Sequence, residues 1–323
     1  MRSAKGEGRL MSPVAKPSEV RVEVVANREI VPTYFSMRLH GPSVLGRFRP
    51  GQFLMVGWED GFDPLLPRAM SIRRARPARR MSHVPSSRFQ VEKGFHANSK
   101  LETRNSKLDV AEVEILYKVF GRGTALLSAI QPGRSLRALG PLGNAFEVPR
   151  SATQVLLVAG GIGVPPIAAL AEAVAGRRTA RRTEMAVFLG GKSKADLLCL
   201  ADLRRAGAKV HLATEDGSAG FKGLVTDLVE QFLCGPTADR RPPTAGPRTV
   251  LYACGPHPML AALTPIAEKY DLPYHASLEA NMACGFGACM GCIVPARGGE
   301  GHRTYRLVCK DGPVFNARDI LWT

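Results

Sequence analysis

The chain has 323 residues, of which 45% are hydrophobic, and a formal net charge of +16. That length suits two or three domains of ordinary size rather than one small core. The uncharged, largely apolar stretch at residues 155–171 is broken by Gly160, Gly161, Gly163, Pro165 and Pro166. It reads as a strand, a turn and a helix start and not as a membrane span, so a soluble protein without membrane partners is expected.

Residues 1–19 carry Arg2, Lys5, Arg9 and Lys16 without the apolar stretch of a signal peptide, and read as a disordered tail. Over residues 20–149 short alternating segments at 20–25, 34–39, 52–56 and 112–117 predict an antiparallel barrel or sandwich. Much of the excess charge is local, with ten Lys/Arg against three acids between Arg73 and Val110. This stretch lacks apolar periodicity and reads as a solvated basic insertion, 73–110. A docking patch for an acidic partner is the alternative. Aromatic residues do not interleave with the basic ones, so nucleic acid is not an expected partner.

After Arg150 the texture changes. Apolar strands at 154–159, 185–189, 209–214 and 249–253 alternate with helical stretches at 166–175, 197–206, 224–232 and 258–270, which predicts a parallel sheet covered by helices over 150–275. Residues 235–248, rich in proline, read as a surface extension. A third, small module follows over 276–323.

That module carries Cys284, Cys289, Cys292 and Cys309 in a C-x4-C-x2-C-x16-C array, with Gly285, Gly287 and Gly291 in the loop. The spacing is that of a plant-type [2Fe-2S] cluster. Four thiolates must wrap two irons, and the glycines permit unusual backbone angles while bringing amide N–H groups to the sulfurs. A structural zinc site prefers two C-x2-C pairs, and only Cys289 and Cys292 form one. The other three cysteines, Cys199, Cys234 and Cys254, form no disulfide-like pattern, which places the protein in a reducing cytoplasm.

In the α/β half, the turn from Gly160 and Gly161 to Gly163 follows an apolar strand and opens a helix, where free N–H groups and close backbone approach suit a diphosphate. Cys254, Gly255 and Pro256 end another strand, so two strand ends of one sheet face a common crevice. Glu215 and Asp216, at the end of a third, supply carboxylates for ribose hydroxyls and repel a 2′-phosphate, which favours NAD over NADP, while Lys192, Lys194, Arg204 and Arg205 of the same domain leave cations open to such a phosphate; Asp216-Gly217 also reads simply as a turn. In the barrel half, Arg68-Ala69-Met70-Ser71 places a guanidinium and a hydroxyl where both meet a phosphate and a ring edge. Leu116-Tyr117-Lys118 and Gly123-Thr124 add an aromatic, a cation and a glycine turn. Nicotinamide exchanges hydride whereas an iron–sulfur cluster passes single electrons. A flavin converts between the two, and the barrel is the place for it.

Together with Gly140-Pro141-Leu142-Gly143-Asn144 and Asp311-Gly312-Pro313-Val314-Phe315, these motifs resemble the electron transfer subunits of the NAD-dependent dihydroorotate dehydrogenases over about residues 20–323. The resemblance implies a ferredoxin-reductase-like fold: a FAD-binding barrel, a nicotinamide-binding α/β domain and a C-terminal [2Fe-2S] module. It implies FAD on Arg68 to Ser71, Leu116 to Lys118 and Gly123-Thr124, with Ala69 in place of the usual proline and Lys118 where arginine is common. It further implies pyrimidine biosynthesis in a heterotetramer with an FMN-containing dihydroorotate dehydrogenase catalytic subunit, two copies of each. Two alternatives remain open: a reductase subunit of another flavoenzyme, of the NAD(P)H-ferredoxin oxidoreductase or hydrogenase type, and a non-catalytic redox sensor.

Overall fold

The computed structural model describes residues 17–59, 66–77, 110–177, 183–235, 249–298 and 302–322. Six strands, β1 (Ser18–Val31), β2 (Tyr34–Pro42), β3 (Phe53–Trp58), β4 (Arg68–Pro77), β5 (Val110–Lys118) and β6 (Ser135–Leu142), close into an antiparallel barrel in the order β1-β2-β5-β4-β3-β6. Alternation drives it: Val20, Val22 and Val24 of β1 and Val113, Ile115 and Tyr117 of β5 point into one core with Leu54 and Val56. A short helix, α1 (Arg122–Ser128), bridges β5 to β6 and is held to β1 by Asn27, whose Nδ2 donates to the carbonyl of Leu127 at 2.8 Å.

The basic insertion expected from Arg73 begins later than its charge suggested. Arg73 to Pro77 continue β4, Arg74 to Pro77 pair with β5, and Arg73 is 1% exposed. Local composition misleads here because the carboxylates that neutralise Arg73 and Arg74 are Glu172 and Asp202, far away in sequence. Residues 78–109 lie outside the described residues, as do 1–16 of the tail expected over 1–19, whose Ser18 and Glu19 already belong to β1.

The second half is a seven-stranded sheet in the order β10-β9-β8-β7-β11-β12-β15. Strands β7 (Gln154–Gly160), β8 (Glu184–Gly191), β9 (Lys209–Thr214), β10 (Phe221–Lys222), β11 (Thr249–Cys254) and β12 (Tyr274–Ser277) run parallel, connected by α2 (Val164–Ala175), α3 (Leu200–Arg205), α4 (Val225–Cys234) and α5 (His257–Lys269). Val155, Leu156, Leu157 and Val158 of central β7 are all sealed from solvent, as expected where helices cover both faces. The predicted helices are present with bounds shifted by a few residues.

Near the C-terminus, β13 (Ile293–Arg297) and β14 (Arg303–Leu307) form a hairpin, and β15 (Val314–Asn316) returns antiparallel onto β12. The boundary expected between 275 and 276 therefore falls inside β12, and the cysteine segment shares the sheet of the preceding unit. One apolar core joins all three parts, packing Phe53, Met55 and Leu142 of the barrel with Leu156 and Leu251 of the sheet and with Cys292, Cys309 and Ile320. Among the described residues no helix is long and apolar enough to cross a membrane.

Candidate functional site

The C-terminal ends of β7, β8, β9 and β11 open on a cavity of about 600 Å³ whose far wall comes from the barrel through Tyr34, Lys118 and Phe120. Gly160, Gly161, Gly255 and Pro256 line it, whereas Gly163 lies beneath. A side chain at Gly160 would strike Met259 Sδ at 2.7 Å and Pro256 Cδ at 2.8 Å, and one at Gly163 would meet the backbone carbonyl of Cys254. These two glycines let the β7 and β11 turns touch, while at Gly161, whose φ is 52°, an added Cβ would come within 3.9 Å of the Tyr34 hydroxyl.

Cys254 is 2% exposed, and burial raises its thiol pKa, so it packs the floor rather than entering the cavity. Asp216 is engaged in its own turn: its Oδ1 accepts from the Ser218 amide at 2.8 Å and hydroxyl at 2.6 Å. The preceding carboxylate, Glu215, lines the cavity instead, as does Lys192. Glu279, which carries no local motif, also stands in the wall, its carboxyl raised by burial.

Three side chains tie the barrel wall to the sheet. The Tyr34 hydroxyl donates to Asp196 Oδ1 at 2.5 Å and accepts from Lys118 Nζ at 2.9 Å, with Lys118 and Asp196 3.5 Å apart. Burial alone would raise Asp196, but the hydrogen bonds from Tyr34 and the Ser193 amide and the Lys118 charge hold it below the usual carboxylate range. Burial, then the bond to Asp196, raises the Tyr34 phenol. Sequence patterns name only Lys118 of this trio, since its partners are adjacent only in space.

On the barrel, the Arg68 guanidinium lies directly over Gly123, with Nη1 donating to the Leu66 carbonyl at 2.5 Å. A Cβ at residue 123 would occupy the same space. Thr124 organises the start of α1: its hydroxyl oxygen accepts from the amides of Phe120 at 2.9 Å and Gly121 at 3.3 Å. Ser71 is half-buried and Ala69 exposed, while Met70 turns into the barrel. Leu116 and Tyr117 are buried, and the Tyr117 hydroxyl donates to Asn27 Oδ1 at 2.9 Å, with its pKa pushed up to about 12 by burial. Of the barrel residues singled out by sequence, Arg68, Gly123 and Thr124 come together at the start of α1 as a cationic, hydroxyl-bearing edge whose chemistry suits an anionic dinucleotide, whereas Lys118 lines the cavity with Tyr34, and Met70 and Tyr117 lie in the barrel core.

The cysteine loop is shaped around its sulfurs. The amide of Cys289 points at Cys284 Sγ at 3.4 Å, that of Gly291 at Cys289 Sγ at 3.5 Å and that of Cys309 at Cys292 Sγ at 3.4 Å. Burial acts to raise the Cys284 thiol, but amides of Cys289, Phe286 and Ala288 outweigh it and bring it to about 6. Burial and the neighbouring Cys292 and Cys284 sulfurs push Cys309 up to about 12. Crowded sulfurs with N–H donors are what an anionic iron–sulfur core requires. Among the described residues no three groups gather around a single metal ion; a two-iron core needs only two protein sulfurs at each iron. Gly285, at φ 82°, lies so close to Met55 of β3 that a side chain there would overlap it.

A barrel with a cationic edge, a parallel sheet whose glycine turns border a crevice and a cysteine loop define a ferredoxin-reductase-type flavoprotein with an iron–sulfur module. The family model for the iron–sulfur cluster binding domain of dihydroorotate dehydrogenase B matches residues 279–321, and that for the oxidoreductase NAD-binding domain matches 157–264. The electron transfer subunit of dihydroorotate dehydrogenase B (NAD(+)) from Bacillus caldolyticus is 35% identical over 308 residues, 93% of this chain and 98% of the relative. The subunit of the same name from Desulforamulus reducens is 31% identical over 300 residues, 93% of this chain and 97% of the relative. The structure of an NADH-dependent reduced ferredoxin-NADP oxidoreductase matches with a TM-score of 0.67 and 24% identity, over 93% of this chain and 90% of that one. A ferredoxin reductase of carbazole 1,9a-dioxygenase matches with a TM-score of 0.58 and 22% identity, over 82% and 70%. The chain belongs to the family of electron transfer subunits of dihydroorotate dehydrogenase B (NAD(+)).

Proposed function

We propose that this chain is the electron transfer subunit that carries electrons from an FMN-containing dihydroorotate dehydrogenase catalytic subunit to NAD⁺, in cytoplasmic pyrimidine biosynthesis, in an assembly of two copies of each chain. When bound, FAD exchanges hydride with nicotinamide and single electrons with a [2Fe-2S] centre, which is the conversion such a relay needs. The observation that carries the reading is the placement of the cysteine loop: Gly285 packs on Met55, and Met55 is the cross-strand partner of Ala69 in the Arg68 to Ser71 segment. This contact supports a route in which a cluster held by Cys284, Cys289, Cys292 and Cys309 is one strand away from a flavin bound along Arg68 to Ser71.

Each part of the chain has a definite task. Arg68, with Gly123 and Thr124 at the start of α1, holds the FAD diphosphate, and Ser71 and Lys118 face the rest of the flavin. The turns at Gly160 to Gly163 and Gly255-Pro256 admit NAD, and Glu215 in the cavity wall disfavours a 2′-phosphate. Phe286, Met290, Ile293 and Tyr305, 58%, 57%, 46% and 55% exposed, surround the outer side of the cluster loop and offer an apolar face to the catalytic subunit.

Co-expression with an FMN-dependent dihydroorotate oxidase tests the proposal. The expected result is a stable complex that forms orotate and NADH. Cys289→Ser is expected to abolish that coupled reaction and the iron absorbance while leaving NADH-driven dye reduction by the isolated chain. Normal coupled turnover by this variant, or no NAD-dependent orotate formation by the wild-type pair, overturns the reading.

A further inference from the structure

We propose that Arg73 and Arg74, with Glu172 and Asp202, are positioning residues for hydride exchange: they bolt the strand that carries the flavin motif to the helix opened by the dinucleotide turn. The inference rests on the functional reading above and deepens it.

The topology places the bolt where it controls both half-sites. Arg68 to Ser71 begin β4, and Arg73 lies two residues further along the same strand. Gly160 to Gly163 lead directly into α2, whose Glu172 lies two turns below. Successive residues of a regular strand face opposite ways, but a register shift between Ile72 and Arg74 breaks the alternation in β4. The irregularity lets both arginines reach the α/β unit.

Arg73 Nη1 donates to Glu172 Oε1 at 3.2 Å, and its Nη2 pairs with Asp202 of α3. Arg74 Nε donates to Glu172 Oε2 at 3.0 Å, its Nη2 pairs with Glu172 Oε1, and the same nitrogen lies 3.2 Å from Asp202 Oδ1. Glu114 of β5 stands 3.7 Å from Arg73, and Arg205 Nη1 is 2.7 Å from Asp202. Three guanidiniums therefore face three carboxylates. Two planar forks sharing two carboxylates fix orientation as well as distance. Burial of Arg73 to 1% exposure excludes the water that would otherwise loosen the contact. A hydride crosses only between rings held face to face, and a displacement of about 1 Å costs on the order of 100-fold in rate.

The test uses the FAD-loaded chain, reduced anaerobically by saturating NADH in a stopped-flow instrument. Reduction of the wild-type flavin is scored first; its absence would overturn the functional reading together with this one. For Glu172→Gln the expected result is a limiting reduction rate at least about tenfold lower. A weaker long-wavelength charge-transfer absorbance of the reduced flavin with NAD⁺ should accompany it. FAD and iron per chain should stay at wild-type levels and the NADH Kd within about threefold, a split that simple loss of fold does not produce. Arg74→Gln combined with Glu172→Gln balances the charge again but leaves the link broken, and should remain slow. Glu172→Asp, which keeps the charge and shortens the reach, should be intermediate and serves if the amide variant misfolds. A rate within twofold of wild type, slowing matched by lost FAD, or recovery in the double variant overturns the proposal.

Discussion

Gly123→Ala separates cofactor binding from folding. The added methyl would coincide with the Arg68 guanidinium, meeting its Nη2, Nε and Cζ at once. The guanidinium is the tip of a flexible side chain, so it swings away at little cost to the fold, and α1 gains helix propensity, up to about 1 kcal/mol. What is lost is the cation over the first turn of α1. A hydrogen bond to a charged group contributes about 1.5–3 kcal/mol, so the FAD Kd should rise roughly 10- to 150-fold. Titration of the apo-chain with FAD, followed by quenching of flavin fluorescence, measures the Kd, and thermal melting of the same apo-chain measures the fold. The expected result is weakened FAD binding with an unchanged or slightly higher Tm and a full complement of iron. An FAD Kd within twofold of wild type would refute the assignment of Arg68 and Gly123 to the flavin diphosphate, and a large drop in apo-chain Tm would refute the claim that only the side chain moves.

Gly163→Ala should behave in the opposite way, because its methyl meets the carbonyl of Cys254 and Gly255 Cα, which are backbone atoms that cannot swing aside. Separation of the β7 and β11 turns should cost about 1–3 kcal/mol, read as a Tm fall of roughly 2–4 °C per kcal/mol, with a raised KM for NADH; an unchanged Tm refutes the close-packing argument. His211 is stacked on Phe188 at 4.9 Å and set edge-on to Phe232 at 5.3 Å, and among the described residues its buried Nε2 has no hydrogen-bond partner. Burial, and then Lys209, lower its pKa, so its contribution to stability is complete above the unfolded value of about 6.5 and is lost as pH falls below it. His211→Leu removes the orphan nitrogen and should stabilise the chain by about 1 kcal/mol at pH 7 and flatten the loss of Tm as pH falls below about 6.5; an unaltered acid slope refutes this.

The irregular parts of the molecule show where local pattern stops being informative. Arg73 and Arg74 sit in a run of basic residues that reads as solvated, yet they are drawn inward by Glu172 and Asp202, about a hundred residues away. Ion pairing at that separation leaves no periodicity in either segment. Asp216 and Glu215 are equally plausible as ribose ligands by type, and only the turn closed by Ser218 shows that the first is engaged and the second faces the cavity. Tyr34 and Asp196 lack motifs, because their function comes from facing one another across a domain boundary.

The sequence by itself determined the cysteine chemistry, the barrel followed by the parallel sheet, and the glycine turns. Each of these depends on short-range spacing: sulfurs that wrap one core, side chains that alternate with the backbone, and residues without a Cβ where chains touch. Only the tertiary structure decided how these parts are joined. The return of β15 to β12, the contact of Gly285 with Met55 and the buried ion cluster between β4 and α2 all bring together residues distant along the chain. Which distant residues meet is settled by packing and by the need to neutralise buried charge, and neither is written in any one segment.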